Sequence, residues 1–479
     1  MPYNYNDLNG TTVLVMGLGR FGGGLDAAKF AAKASAKVIV TDLASPEQLI
    51  DPVKELVTYS NVKFHLGAHE KEDFETSDIV IANPAVPYDN KFLQISRDAG
   101  RHVTSQVNIF FEMCPAKIIG ITGANGKSTT ASLTAHMLRN ANLQNVIASE
   151  AKQSRITQNA ERNTQCETIW LSGNIGNQPL LTITDKIKSN DLVVLELSSF
   201  QIEQLTEFKR APQVALLTNL TPNHLDRYGT YEKYCAAKEN IFKYQKLNEN
   251  NPPISIFNAE DKIACEWYDK YKNDKGRICI KFSADDVTKE IHNCYKLPGR
   301  ANLSNLAAAL AIVRNFAVSD ANIIKSLPDF KALPHRLELV EEINGVRWYN
   351  DSKATTPEGA ITALEAFDNP IILIAGGYDK HLPFNKLAEK IIEKTKAAIL
   401  IGQTAQQIAK EIEEKLKTQN SKLKTSMASS LSNAVQTAYS LAKSGDIVLL
   451  SPACASYDMF ENYEQRGRQF IELVKSLNK

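Results

Sequence analysis

No apolar run in this chain of 479 residues approaches the roughly 20 residues that a membrane-crossing helix requires, so no membrane insertion is expected. The opening segment MPYNYNDLNG lacks the basic and apolar regions of a secretory leader, and a cytoplasmic protein is the expectation. An excess of one charge is also missing. With 55 Lys and Arg against 54 Asp and Glu, no long-range field gathers nucleic acid or anionic lipid, so any anion must be held locally. The seven cysteines (Cys114, Cys166, Cys235, Cys265, Cys279, Cys294, Cys454) never fall in a CxxC spacing, which argues against a zinc site or a disulfide framework. Cys454, in SPACAS, has no partner close in sequence and reads as small buried packing rather than as a nucleophile. A repeat of solenoid period is absent as well.

What is present is an α/β pattern. Hydrophobic residues at 43% and charged residues at 23% are globular values, and at roughly 150 residues per domain the length implies about three domains. Short β-branched runs alternate with helical stretches, which predicts parallel sheets wrapped by helices. TVLVM at Thr12–Met16, VIVTD at Val38–Asp42 and IVIAN at Ile79–Asn83 read as strands of a Rossmann-like first domain, residues 1–115. A central domain, residues 116–332, holds the strand ending near Ile121, then KSTTASLTAHMLRN as a helix and DLVVLELSS and VALLTNLT as strands. Beyond it VRWYN, IILIAGG, AAILIG and DIVLLS alternate with helices, a second Rossmann-like pattern over residues 333–479. The polar segment from Ala148 to Thr168 has no period and reads as a surface insertion whose deletion leaves folding and activity largely intact.

GITGANGKSTT, Gly120 to Thr130, carries the strongest chemical signal. An apolar strand meets a glycine turn and a helix starts at the lysine, so backbone N–H groups and the positive helix end face phosphate oxygens. Lys127 would reach the terminal phosphates and Ser128 would hold Mg²⁺; the generic pattern is only approximately met, since Ile121 stands where it has glycine. Glu196, ending the buried run DLVVLE, supplies a carboxylate for the metal. His224 and Lys238 stay undecided on physical grounds: one is a lone histidine in a polar turn, the other an ordinary helix lysine by position. GLGRFG at Gly17–Gly22, followed by Asp42, fits a dinucleotide fingerprint and keeps a nicotinamide oxidoreductase in view, although a hydride enzyme has no evident use for a GKS turn. A nucleotide-dependent switch without catalysis is another rival. In the third domain Arg336, Asp351, Lys353, Lys380 and Ser456 fall at apparent strand exits, where several cations suit phosphoryl transfer.

Taken together, TGANGKSTT, GNIGNQP, LELSSFQ, NLTPNHLDRY, YCAAK, LPHRLE, NDSKATT and SPACASYDMFENYEQRG resemble the Mur ligase family, the last motif pointing to its D-glutamate-adding branch. The resemblance spans nearly the whole chain except the insertion, and implies an ATP-dependent amide-forming enzyme of cytoplasmic peptidoglycan precursor synthesis. UDP-N-acetylmuramoyl-L-alanine and D-glutamate are the implied substrates, with an acyl phosphate between them; a related ligase adding another amino acid is the nearest alternative. It further implies that Thr122, Gly123, Ala124, Asn125, Gly126, Lys127, Ser128, Thr129, Asn305, Arg336 and Asp351 bind ATP, and that Asn174 lies near the reacting carboxylate. Two Mg²⁺ ions are implied, one on Ser128 and Glu196, the other on His224 and a carbamylated Lys238. D-Glutamate falls to Lys353, Thr355, Lys380, Ser456 and Tyr463, and the uridine diphosphate to Arg20, Phe21, Asp42, Leu43 and Asn83. Ala301 stands where the family commonly has histidine. A monomer is expected.

Overall fold

The computed structural model describes residues 3–19, 22–141, 168–175, 179–417 and 423–477. Arg20, Phe21 and the predicted insertion up to residue 167 lie outside the described residues. Three sheets account for the strands that are described. The first comprises β1 (Thr12–Met16), β2 (Lys37–Asp42), β3 (Val62–Leu66), β4 (Ile79–Ala82) and β5 (His102–Ser105), in the order β3-β2-β1-β4-β5 and parallel throughout. The second comprises β6 (Lys117–Thr122), β7 (Ile169–Gly173), β8 (Leu192–Glu196), β9 (Val214–Leu217), β10 (Ile254–Asn258) and β11 (Ile278–Phe282), in the order β11-β10-β9-β6-β8-β7 and again parallel. The third comprises β12 (Glu338–Ile343), β13 (Val346–Asn350), β14 (Ile371–Ala375), β15 (Thr395–Leu400), β16 (Lys424–Met427) and β17 (Ile447–Leu450), in the order β12-β13-β17-β14-β15-β16. Only β12 with β13 is antiparallel in that sheet. The domains are thus a Rossmann-like N-terminal one, a central phosphate-turn domain on a parallel sheet, and a Rossmann-like C-terminal one.

Helices on both faces explain why the central strands read as unbroken apolar runs. Every residue of β4, β8, β9, β14 and β17 is buried. In β14 the side chains alternate between two cores: Ile371, Leu373 and Ala375 join one, Ile372 and Ile374 the other.

By compactness the chain divides into two units, one of residues 1–286 with 305–326, the other of residues 287–304 with 327–479. The first and second sheets share the first unit because a single core runs through both, from Val13, Val38 and Phe110 to Val193, Leu195 and Phe242.

Candidate active site

The phosphate turn follows β6, and its shape depends on two glycines. Gly126, at φ 81°, caps the helix Lys127–Asn140 in the left-handed region, and a Cβ there would lie 2.1 Å from Asn305 Oδ1. Gly123, at φ 147°, has no room either, since a Cβ would lie 1.9 Å from Thr218 Oγ1. The exit of β9 pins the rest of the turn: Asn219 O accepts from Ala124 N at 2.8 Å and Asn219 Oδ1 from Asn125 N at 2.9 Å, while Thr218 Oγ1 donates to Asn125 O at 2.6 Å. Thr218 and Asn219 are site residues that the sequence reading missed, although both lie in the strand run it singled out. Lys127 Nζ donates to Gly123 O and Ala124 O, at 3.0 and 2.9 Å. Ser128 and Thr129 are buried in the first helical turn.

Strand register brings Glu196 to the same place. Glu196 pairs with Ile121 on one side, two residues before the turn begins at Gly123, and with Gly173 on the other. It is 2% exposed; Oε1 accepts from Asn174 Nδ2 at 3.0 Å, and Oε2 has no hydrogen-bond partner. A buried, unpartnered carboxylate oxygen at a strand end that pairs with the strand leading into the phosphate turn is the donor chemistry that Mg²⁺ takes, so the residues present fit that ion. Lys238, 2% exposed on the helix Tyr231–Lys243, donates to Thr122 Oγ1 at 3.1 Å and lies 5.1 Å from the Tyr234 ring centre. Burial pushes its ammonium pKa well below the usual lysine range; the charge of Lys127 adds to this and that of Glu196 opposes it. His224, at φ 52°, precedes a one-turn helix, its ring 4.8 Å from Phe200 and 6.4 Å from Tyr234. Partial burial lowers its pKa, Asp226 opposes this, and Lys238, Lys127 and Arg227 reinforce it, which favours the neutral imidazole that ligates metal.

Around the glycine turn after β1, Asp42 Oδ2 accepts from Gly19 N at 3.2 Å and Asn83 Nδ2 donates to Gly17 O at 3.2 Å. Leu43, next to Asp42, is 68% exposed. Gly24, rather than a glycine of GLGRFG, makes the closest helix approach, since a Cβ there would lie 2.3 Å from Gly17 O.

The second unit holds the remaining predicted residues, but not all at strand exits: Arg336, expected at one, lies before β12, and Tyr463 opens the helix Tyr463–Ser476. Asp351, just past β13, accepts from Leu337 N at 3.2 Å and Ser451 Oγ at 2.8 Å, and burial pushes its carboxyl up to about 7. Arg336 lies between two residues in left-handed backbone, His335 and Leu337, and its Nε is buried without a hydrogen-bond partner. Lys353 Nζ lies 5.4 Å from the Tyr463 ring centre. Thr355 is partly buried, Ser456 is buried and Lys380 is exposed past the Gly376–Gly377 turn after β14. Arg466, which the sequence reading did not single out, is wholly buried and meets only neutral groups: Ser352 Oγ and O, Ala455 O and Cys454 O at 2.8–3.2 Å. It staples the loop before Lys353 to the loop before Ser456. Cys454 is buried, its thiol pushed up to about 11, chiefly by desolvation. The six described cysteines are free, and Cys166 lies outside the described residues.

Family comparisons match three successive stretches: "Mur ligase MurD-like, N-terminal domain" over residues 11–105, "Mur ligase middle domain" over 121–313, and "Mur ligase, glutamate ligase domain" over 335–454. Among curated relatives, the UDP-N-acetylmuramoylalanine--D-glutamate ligase of Roseiflexus sp. (strain RS-1) is 37% identical, over 98% of this chain and 99% of its own. The protein of that name from Acetivibrio thermocellus is also 37% identical, over 87% and 86%. Among solved structures, UDP-N-acetylmuramate-alanine ligase of Thermotoga maritima superposes with a TM-score of 0.54 at 17% identity, covering 97% of this chain and 99% of its own. MurF from Acinetobacter baumannii gives 0.54 at 14%, covering 98% and 91%, so these two share the fold. With all three domains matched in order and relatives this similar along almost their whole length, the chain belongs to the Mur ligase family.

Proposed function

We propose that this chain joins D-glutamate to UDP-N-acetylmuramoyl-L-alanine at the expense of ATP, giving ADP and phosphate, in peptidoglycan precursor synthesis. The observation that carries this is 37% identity over 98% of the chain to a relative named for that reaction. In the reaction an oxygen of the L-alanyl carboxylate attacks the γ-phosphorus, ADP leaves, and an acyl phosphate forms. The amine of D-glutamate then adds to the carbonyl carbon and phosphate departs from the tetrahedral intermediate.

The residues of the first unit supply what this needs. Lys127 and the N–H groups from Thr122 to Thr129 hold the triphosphate and meet its growing charge, Asn305 supports the nucleotide, and Asn174 steadies both Glu196 and the reacting carboxylate. Ser128 with Glu196 would hold one Mg²⁺ and His224 with carbamylated Lys238 a second, and the ions would supply charge that offsets that of the phosphates. In the C-terminal domain Arg336 and Asp351 take the nucleotide, and Lys353, Thr355, Lys380, Ser456 and Tyr463 take D-glutamate, the two lysines meeting its carboxylates. Asp42, Leu43 and Asn83, with Arg20 and Phe21, hold the uridine diphosphate. Domain boundaries at 115/116 and 332/333, a monomeric state and a cytoplasmic location complete the reading. Among the described residues no helix is long and apolar enough to cross a membrane.

The test is phosphate release from ATP with UDP-N-acetylmuramoyl-L-alanine and each enantiomer of glutamate, then other amino acids. D-Glutamate alone is expected to drive release; equal release with another amino acid, or none with D-glutamate, overturns the reading.

A further inference from the structure

The carboxylate of Asp26 is 5% exposed and accepts five hydrogen bonds, four of them from another domain. Its Oδ2 takes Leu180 N at 2.9 Å, Leu181 N at 2.7 Å and Gln106 Nε2 at 2.6 Å; its Oδ1 takes Thr182 N at 3.1 Å and Thr182 Oγ1 at 2.7 Å. Three consecutive backbone N–H groups thus form an anion-binding concavity, and the anion in it is a side chain of the first domain. Asp26 stands in the first turn of the helix Gly23–Lys33, directly behind the glycine turn. Leu180–Thr182 directly follows Pro179, which is tied to the strand end that carries Asn174. That tie is Ser172 Oγ donating to Pro179 O at 2.8 Å, two residues before Asn174. Asn174 itself is held by Glu196, whose backbone O accepts from Asn174 N and whose side chain accepts from Asn174 Nδ2, both at 3.0 Å.

We propose that Asp26 is a positioning residue: it locks the helix behind the glycine turn to Leu180–Thr182 and, through the Ser172–Pro179 tie, to the strand end that carries Asn174, and so sets where the reacting carboxylate meets the phosphate turn. The proposal rests on the ligase reading given above. Packing alone does not require this acid, because the other buried residues of its helix are glycine and alanine. Asp26→Asn keeps the shape, turns one acceptor into a donor and faces it toward N–H groups that then lack a partner.

The experiment is a double-mutant cycle on kcat with Asp26→Asn and Asn174→Ala, run beside amide hydrogen exchange of the segment 168–182 in the substrate-free protein. Asp26→Asn is expected to speed exchange at Leu180–Thr182 and to lower kcat by about 10- to 100-fold, as a misplacement of about 1 Å does, with KM for ATP within about twofold. In the Asn174→Ala background the same change is expected to cost less than about threefold. Unchanged exchange, wild-type kcat, or an equal loss in both backgrounds overturns the proposal. Thr182→Val, which removes one bond of the five, gives a smaller loss with the same dependence on Asn174 and covers the case where Asp26→Asn does not fold. Wild-type turnover with D-glutamate tests the ligase reading on its own, and exchange reads the lock without any substrate.

Discussion

Lys238 lies beneath the phosphate turn with Thr122 Oγ1 and the face of Tyr234 beside it, and no carboxylate reaches it at ion-pair distance among the described residues. Burial that disfavours the ammonium form favours the amine that reacts with CO₂, and a carbamate at this position would carry a negative charge that a bound metal would stabilise. Lys238→Ala is therefore expected to lose ligation by at least about 100-fold and to recover part of it when a short carboxylate such as acetate is added; absence of rescue in a folded, Mg²⁺-supplied variant counts against carbamylation. Asp351 gives a test in pH. Because burial raises its folded carboxyl to about 7, above the ordinary value of about 4, the folded chain binds that proton more tightly; the contribution of Asp351 to stability is full below about pH 4 and is lost as pH rises through about 7. Asp351→Asn, a standing mimic of the protonated form, is expected to gain thermal stability over wild type on the order of a few kcal/mol at pH 8 and less at pH 5, and a pH-independent difference refutes this. The sequence singled out Lys127, Ser128 and Glu196 as candidates through their spacing around a strand and a helix start. It left His224 and Lys238 undecided because their surroundings come from other strands, and it passed over Asp26 and Arg466. Arg466 was hidden as one basic residue among several, yet it shares the buried stripe of its helix with Phe470 and Val474, and that misfit was its available signal.

Elements buried on both faces were the most legible, because parallel strands under two helical layers become continuous Val, Ile and Leu runs. The reading placed β1 at Thr12–Met16 and the helix at Lys127–Asn140, and both ranges match the structure. Edge strands escaped. β12, sequence ELVEEI, buries only Ile343, and β16, sequence KTSM, buries nothing, so neither carries an apolar run to be seen. The phosphate turn is the element whose geometry is most constrained by its residues. Gly126→Ala adds a left-handed penalty of about 1–2 kcal/mol to a clash with Asn305 Oδ1, and is expected to weaken ATP binding by about tenfold or more. Calorimetric titration with ATP checks it, and wild-type affinity rules the geometric account out.

Across the molecule, three sheets were foreseeable from alternation of strand and helix, whereas the merging of the first two domains into one compact unit was not, since it depends on core contacts and on the Asp26 lock. The third sheet follows a different schedule. Its strand β17 is the last of the chain's described strands, yet it lies between β13 and β14, pairing with both. As the polypeptide leaves the ribosome, β13 and β14 emerge first and have no strand to join them. The sheet cannot close before Ile447–Leu450 is available to pair with both, so this domain cannot be completed until that strand has been made. A messenger cut short upstream of that strand yields a product with two bare apolar edges, a ready substrate for chaperones and proteases.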